Sequence, residues 1–229
     1  MRKKILVIDI GGTHVKLMLS RTKKRKFKSG PKMTPREMVK QIKKEMEGWK
    51  YDAIAIGFPA PVRDGRILDE PKHLGKGWVR FNFEKMLGKP VRIVNDAALQ
   101  ALGSYRGGRM LFLGLGTGLG STLVLRDMVF PLELGDLPYC DDRIIEDFLG
   151  KPGIAELGEK EWERTVMGAV AQLKKSFIAD YVILGGGNTK KLRELPKGAE
   201  QGHNRNAYLG GVRLWQVDPR THRPKWTIF

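Results

Sequence analysis

A chain of 229 residues that is 41% hydrophobic can bury a core as one large domain or as two small ones flanking a cleft. No apolar run is long enough to cross a bilayer, the basic start leads into an apolar stretch broken by Asp9, and the single cysteine, Cys140, cannot form an internal disulfide. A cytoplasmic protein is expected, and its 42 Lys and Arg against 25 Asp and Glu, a formal charge of +17, draw polyanions without choosing among nucleic acid, an acidic surface and a phosphate polymer.

In chain order, KILVIDI at 4–10 has the nearly continuous apolar character of a strand, and GGT at 11–13 turns the chain into a second strand over 15–20. Two adjacent glycines let backbone approach a ligand and aim successive N–H groups at an anion; an ordinary hairpin turn explains them as well. A strand–turn–strand is not the strand–loop–helix of a dinucleotide fold. The run at 21–29, with Arg21, Lys23, Lys24, Arg25, Lys26 and Lys28, reads as a hairpin tip and a lysine-protected edge strand, with a polyanion contact as the other reading. Thr34 to Gly48 is an amphipathic helix capped by Thr34, with Pro35 in its first turn and Met38, Ile42 and Met46 on its core face. AIAIGF at 53–58 is a buried strand, and Asp64-Gly65 a tight turn. In the glycine-rich loop that follows, His73 and Trp78 are candidate cleft residues, although a loop tryptophan is more often a packing anchor. Asn82 to Gly88 is a short helix.

Residues 91–94 form a short strand that Asn95 and Asp96 end, and 97–102 has helix-forming composition. The pair sits where open α/β sheets present ligand-contacting residues, and an aspartate there can accept the proton of a bound hydroxyl. Either residue can instead serve simply as the helix cap.

SYRGGR at 104–109 is a connector, and 110–125 repeats the design of the amino-terminal segment: strand, glycine turn with Thr117, strand. Two such hairpins suggest two related subdomains facing one cleft. Helices are expected over 142–149 and 159–178, and YVILGGGNTKKL at 181–192 is a strand opening through three glycines into a helix, a shape suited to the phosphate-and-sugar side of a nucleotide. Asn206 to Gln216 closes with a helix, and the proline-rich tail does not continue it.

The ordered set DIGGT (9–13), VNDA (94–97), LGTGLGS (115–121), ELG (133–135) and GGGN (185–188) resembles the ROK sugar-kinase family of the actin/hexokinase-like superfamily. The compact length, the lack of a cysteine-rich zinc loop and the GTGLGS and GGGN turns are especially similar to the polyphosphate glucokinases. No added helix-turn-helix precedes the first strand, so the repressor branch fits poorly. The resemblance implies an α/β, two-lobed, ribonuclease H-like fold with an interlobe cleft, one lobe over 1–105, the other over 106–205, and 206–229 returning to the first. It also implies phosphoryl transfer from ATP, polyphosphate or both to a hexose hydroxyl, the 6-OH of a glucose-like sugar, and a homodimer. Asp96 would be the general base, and Asn95 and Glu133 would hold other hydroxyls. Asp9 would orient Mg²⁺ through water; Gly11, Gly12, Thr13 and Lys16, and opposite them Gly116, Thr117 and Gly118, would grip phosphates; Gly186, Gly187 and Asn188 would border a nucleoside. Such chemistry asks a protein mainly for alignment and charge neutralisation. No structural zinc, membrane or specific nucleic-acid partner is implied.

Two sugar-side positions depart from the family: Asp136 stands where histidine follows ELG, and His73 where the short relatives tend to carry asparagine. A third carboxylate beside Asp96 and Glu133 raises at least one pKa, which predicts weakened use of glucose through spoiled binding, a different or cationic acceptor, a recruited cation or a sensor that has lost turnover. A nucleic-acid-associated protein rests on basicity alone, since no interleaved aromatic and basic platform accompanies it.

Overall fold

The computed structural model describes residues 3–203 and 205–229, and all elements and absences below refer to these. The first half runs β1 (Ile5–Ile10), β2 (His14–Met18), β3 (Lys24–Lys28), α1 (Pro35–Glu45), β4 (Ala53–Phe58), β5 (Val62–Arg63), β6 (Arg66–Ile67), α2 (Phe83–Leu87), β7 (Val91–Asn95) and α3 (Asp96–Ser104). The second runs β8 (Arg109–Leu115), β9 (Leu119–Leu125), β10 (Met128–Leu132), β11 (Pro138–Cys140), β12 (Arg143–Ile144), α4 (Ile145–Leu149), α5 (Lys151–Ser176), β13 (Tyr181–Gly185), β14 (Ala199–Gln201), α6 (Asn206–Leu214) and β15 (Thr227–Ile228).

Local chemistry sets many boundaries. Thr34 and Glu37 close a capping box at the start of α1, Thr34 N–H donating to the Glu37 carboxylate at 2.9 Å. Asn82 caps α2, and Gly88, at φ 67°, ends it. Asp64 (φ 52°) and Gly65 (φ 69°) form the left-handed pair of the tight β5–β6 hairpin.

One strand order occurs twice. In the first sheet, β3-β2-β1-β4-β7, an antiparallel meander is followed by two strands parallel to β1. In the second, β10-β9-β8-β13-β14 repeats that arrangement, and β15 is added outside β10. Strand side chains alternate between faces, so β1 splits its apolar residues. Leu6, Ile8 and Ile10 join α1 and Trp78 in an outer core, while Ile5 and Val7 face α3 and α6. Met110 and Phe112 of β8 meet the same two helices from the other side, and Leu111, Leu113 and Leu115 pack on α5. The helices α3 and α6 therefore form a layer between the sheets. A Cβ at Gly103 would lie 1.8 Å from the Asn206 carbonyl oxygen, and one at Gly210 1.7 Å from that of Leu99, so their close crossing requires both glycines.

Several expectations need correction. Residues 142–144 are not helical: Arg143 and Ile144 pair with β11, and the helix starts at Ile145. The long helix starts at Lys151 rather than 159 and kinks at Gly158, whose φ of 74° is open to glycine. The GGGN segment continues as a 3-10 turn, Gly187–Lys191, not an α-helix. Of the two readings of Trp78 the packing anchor holds, since the ring is fully buried against Phe58, Phe81 and Phe83 and does not line a cleft. Of 206–229, α6 packs on the first sheet, but Thr227–Ile228 pairs with β10 of the second. No helix is long and apolar enough to cross a membrane.

Candidate active site

Asp9 points from the end of β1 toward the α3–α6 layer, because it shares the face of Ile5 and Val7. Its cross-strand partner is Lys16, whose Nζ lies 2.8 Å from the Asp9 carboxylate. On the other flank Asp9 registers with Gly57 of β4, where a Cβ would meet the Asp96 Cα at 3.2 Å and the Leu99 side chain at 2.8 Å. A Cβ at Gly120 of β9 would meet the Ala97 Cβ at 2.9 Å. A glycine from each sheet thus makes room for the first turn of α3, and Asp96 is its first residue.

The helix cap is Asn95. Its Oδ1 accepts from Ala97 N–H at 2.8 Å and Ala98 N–H at 3.4 Å, and its Nδ2 donates to the Ala60 carbonyl at 3.4 Å. Asn95 is buried, and its Oδ1 fixes the start of α3, while its Nδ2, with two N–H donors, makes the one bond to Ala60. The neighbouring Asp96 is partly buried, and desolvation first and the Asp9 charge second push its carboxyl up to about 7, against the Ala97 N–H and Lys16. Lys16 moves upward too, chiefly through Asp9.

Three glycine turns carry the other candidate residues, each following a strand of one of the two sheets. The Gly11–Thr13 turn closes by the Gly11 N–H to His14 carbonyl bond of 3.0 Å and is tied to Ser29, which donates its hydroxyl to Gly11 (2.6 Å) and its N–H to Thr13 (3.0 Å). At the other turn Gly116 N–H donates to Gly118 O at 3.0 Å, and Thr117 O accepts from Lys151 N–H. Gly186, at φ 85°, would place a Cβ 2.1 Å from the Leu115 carbonyl oxygen, and Asn188 Nδ2 donates to Gly116 O at 2.7 Å. The second and third turns are therefore one unit, and nothing lies within 4 Å of a Cβ at Gly187.

The remaining candidates lie where the two halves meet. Ser121 Oγ donates to Leu132 O and accepts from Leu134 N–H, holding the chain on both sides of Glu133. Glu133 is solvent-accessible, yet partial desolvation, then Asp136, with Glu146 and Asp69 adding, push its carboxyl up to about 7 against Lys72. His73 is exposed with its Cβ stacked against Gly12. Asp136 lies beside Lys72, at 3.0 Å, and the same ammonium lies 3.2 Å from Glu146. Glu146 also accepts the Leu119 N–H at 3.1 Å and fills the space a Cβ on Gly118 would take.

Sequence reasoning missed Lys72, Glu146 and Gly57. Lys72 is one residue from the singled-out His73, and Glu146 lies in the first turn of α4; neither carries a spacing that marks a partner so far along the chain. No group of three or more His, Cys, Asp or Glu among the described residues is arranged to hold a metal ion. A surface groove of about 910 Å³ lies elsewhere, between the β5–β6 hairpin, α2 and β7.

Comparison with solved structures returns the same architecture. The chain is similar to an inorganic polyphosphate/ATP-glucomannokinase from Arthrobacter sp. strain KM, with a TM-score of 0.77, 21% identity, and 91% of this chain and 96% of that one covered. It is similar to a ROK family glucokinase from Streptomyces griseus, solved with glucose and AMPPNP, with a TM-score of 0.71, 18% identity and coverage of 91% and 98%. It is also similar to a ROK family transcriptional regulator, a homolog of an E. coli protein, with a TM-score of 0.68, 14% identity and coverage of 92% and 77%. No curated protein matches the sequence. The model of the ROK family matches residues 5–130, more than half of the chain, and with the two-sheet fold this places the protein in that family: the chain belongs to the ROK family.

Proposed function

We propose that the protein is a sugar kinase that transfers a phosphoryl group from ATP, inorganic polyphosphate or both to a hexose hydroxyl, O6 of a glucose-like sugar, with Asp96 as general base. The observation that carries this reading is the setting of Asp96: a carboxyl at the start of α3, between the sheets, with a pKa raised to about 7. A base poised near neutrality accepts a hydroxyl proton as the oxygen attacks phosphorus. Sugar kinases of the same fold, one named for polyphosphate and ATP and one holding glucose and AMPPNP, support the donor and acceptor classes.

In this reading 1–105 and 106–205 are the two lobes, and α6 closes back on the first. Gly11–Thr13 and Lys16 face the donor from one side and Gly116–Gly118 from the other. The turn Gly186–Asn188 flanks a nucleoside through its backbone, because the Asn188 amide nitrogen is bonded to Gly116. Glu133 holds a sugar hydroxyl, with Asp136 and His73 on its rim. Mg²⁺ typically keeps several waters and binds one or two carboxylates plus phosphates, and Asp9 suits it: a buried carboxylate paired with a Lys16 side chain that is 56% exposed. Bound with the donor, the ion would supply neutralisation of phosphate charge. A homodimer in the cytoplasm completes the proposal.

A second reading, a sugar or nucleotide sensor without turnover, is favoured by the commitment of Asp136 to Lys72 at the rim of the sugar site. One experiment separates them: purified protein is incubated with ATP or polyphosphate and a panel of hexoses, and sugar phosphate is measured. Product with any pair removes the sensor; ligand binding without product for every pair removes the kinase.

A further inference from the structure

The run of cations at 23–28 is sorted by the pleat of β3. The register pairs His14 with Lys28, Lys16 with Lys26 and Met18 with Lys24, and residues directly opposite in an antiparallel pair project from the same face. Met18 packs in the core between the sheets, and Lys16 meets Asp9, so Lys24, Lys26 and Lys28 share the face of the active site. The odd-numbered residues turn the other way. Phe27 packs on the outer core, and Lys23 and Arg25 lie over the Trp49 ring, 5.2 Å and 5.3 Å from its centroid.

The two sets differ in what they do. The outer cations are spent on an aromatic face. None of Lys24, Lys26 and Lys28 has a carboxylate within ion-pair distance among the described residues, and all three are exposed. Protection of an edge strand explains charge along β3 but asks for no continuity with a ligand site. Here continuity exists: Ser29, next to Lys28, is bonded to both Gly11 and Thr13 of the phosphate-facing turn. The cations recur at two-residue intervals, about 7 Å apart along the strand, starting at that turn and leading away from the cleft.

Resting on the kinase reading, we infer that Lys28, Lys26 and Lys24 form a track for the distal part of a linear polyphosphate chain whose reacting end lies at the Gly11–Thr13 turn. A donor of three phosphates is too short to cover all three cations, which are spread over about 13 Å of strand, whereas a chain of tens of phosphates runs along them. Each cation displaces condensed counterions, so the contribution grows with chain length and falls with salt.

The test is equilibrium binding of tripolyphosphate and of long-chain polyphosphate to the full chain over a series of salt concentrations. The parent is compared with a Lys24→Gln, Lys26→Gln, Lys28→Gln variant and with a charge-matched Lys43→Gln, Lys50→Gln, Lys85→Gln variant. In the first variant the affinity for the long chain falls by about tenfold or more, the salt slope decreases by about 2, and tripolyphosphate binding changes by less than about twofold. An unchanged long-chain affinity overturns the track, as does an equal loss in the charge-matched variant. Single-stranded DNA of matched charge that binds as tightly as polyphosphate and loses as much also overturns it, assigning the strand to nucleic acid. Binding is read without turnover, so the two proposals fail separately. Absence of sugar phosphate with every donor, beside a track-dependent salt slope, removes the kinase and leaves the track.

Discussion

Lys72 and Asp136, 64 residues apart in sequence, meet at 3.0 Å across the junction of the two halves. Both side chains are more than half exposed, so the pair itself contributes at most about 1 kcal/mol to stability. Its influence falls on Glu133, whose pKa Asp136 raises and Lys72 lowers.

Asp136→His removes the largest charge effect on Glu133, so that carboxyl ionises at lower pH and, in the proposed kinase, accepts a sugar hydroxyl's hydrogen bond more fully. The expected result is a kcat/KM for glucose roughly fivefold or more above the parent, equivalent to about 1 kcal/mol. A hexose panel checks it, and equal glucose kinetics in the two proteins reject it.

Asp96→Asn keeps an oxygen for the Ala97 N–H but cannot take a proton. Turnover should fall by about 10²-fold or more with every donor, while sugar affinity by calorimetry stays within about twofold. Removing a partly buried charge that faces Asp9 should also stabilise the ligand-free protein at pH 8, by on the order of 1 kcal/mol. A variant that is both inactive and unable to bind sugar would point to a misplaced helix, not a lost base.

The raised carboxyls give stability and activity opposite slopes with pH. Asp96 and Glu133, both at about 7 in the folded state against ordinary values of 3.8 and 4.5, bind more protons folded than unfolded across that window. Their contribution to stability is fully present below the unfolded values and is lost as pH rises through about 7. Activity that depends on ionised Asp96 rises over the same range. Melting temperature and kcat/KM measured from about pH 5 to about pH 8 test this. The difference between the parent and Asp96→Asn isolates one carboxyl: the parent should lose stability relative to the variant as pH increases.

Gly103→Ala places a methyl group 1.8 Å from the Asn206 carbonyl oxygen and 2.8 Å from Gly210 N, backbone atoms that cannot swing aside. A loss of about 3 kcal/mol or more is expected in urea unfolding, or no folded protein. Gly187→Ala meets nothing within 4 Å and should alter stability by no more than about 0.5 kcal/mol. Similar midpoints for both variants would contradict the close crossing.

Much of this was legible because it is local. The capped helix at Thr34, the Asp64-Gly65 hairpin and the strand–glycine–strand segments each follow from a few neighbouring residues. What escaped depends on partners remote in the chain. Trp78 stays between cleft residue and packing anchor until Phe58 and Phe83 close on it, and the tail carries no strand signal until β10 supplies Val129 as a partner for Ile228. Glu146 carries no signal at all until α4 sets it against Gly118. In the site, the residue types at 95 and 96 allowed either neighbour to be the cap; only the bonds of Asn95 decide that it is the cap.

The crossing of α3 and α6 makes α3 a lever. From Asp96 to Gly103 the helix spans about 10 Å, so a tilt of about 5° at the glycine contact swings the carboxylate by nearly 1 Å. A displacement of that size is enough to cost a positioned reaction on the order of 10²-fold. Aim at one end is therefore held by a methyl-sized gap at the other, and residues that touch no ligand set the accuracy of the shot.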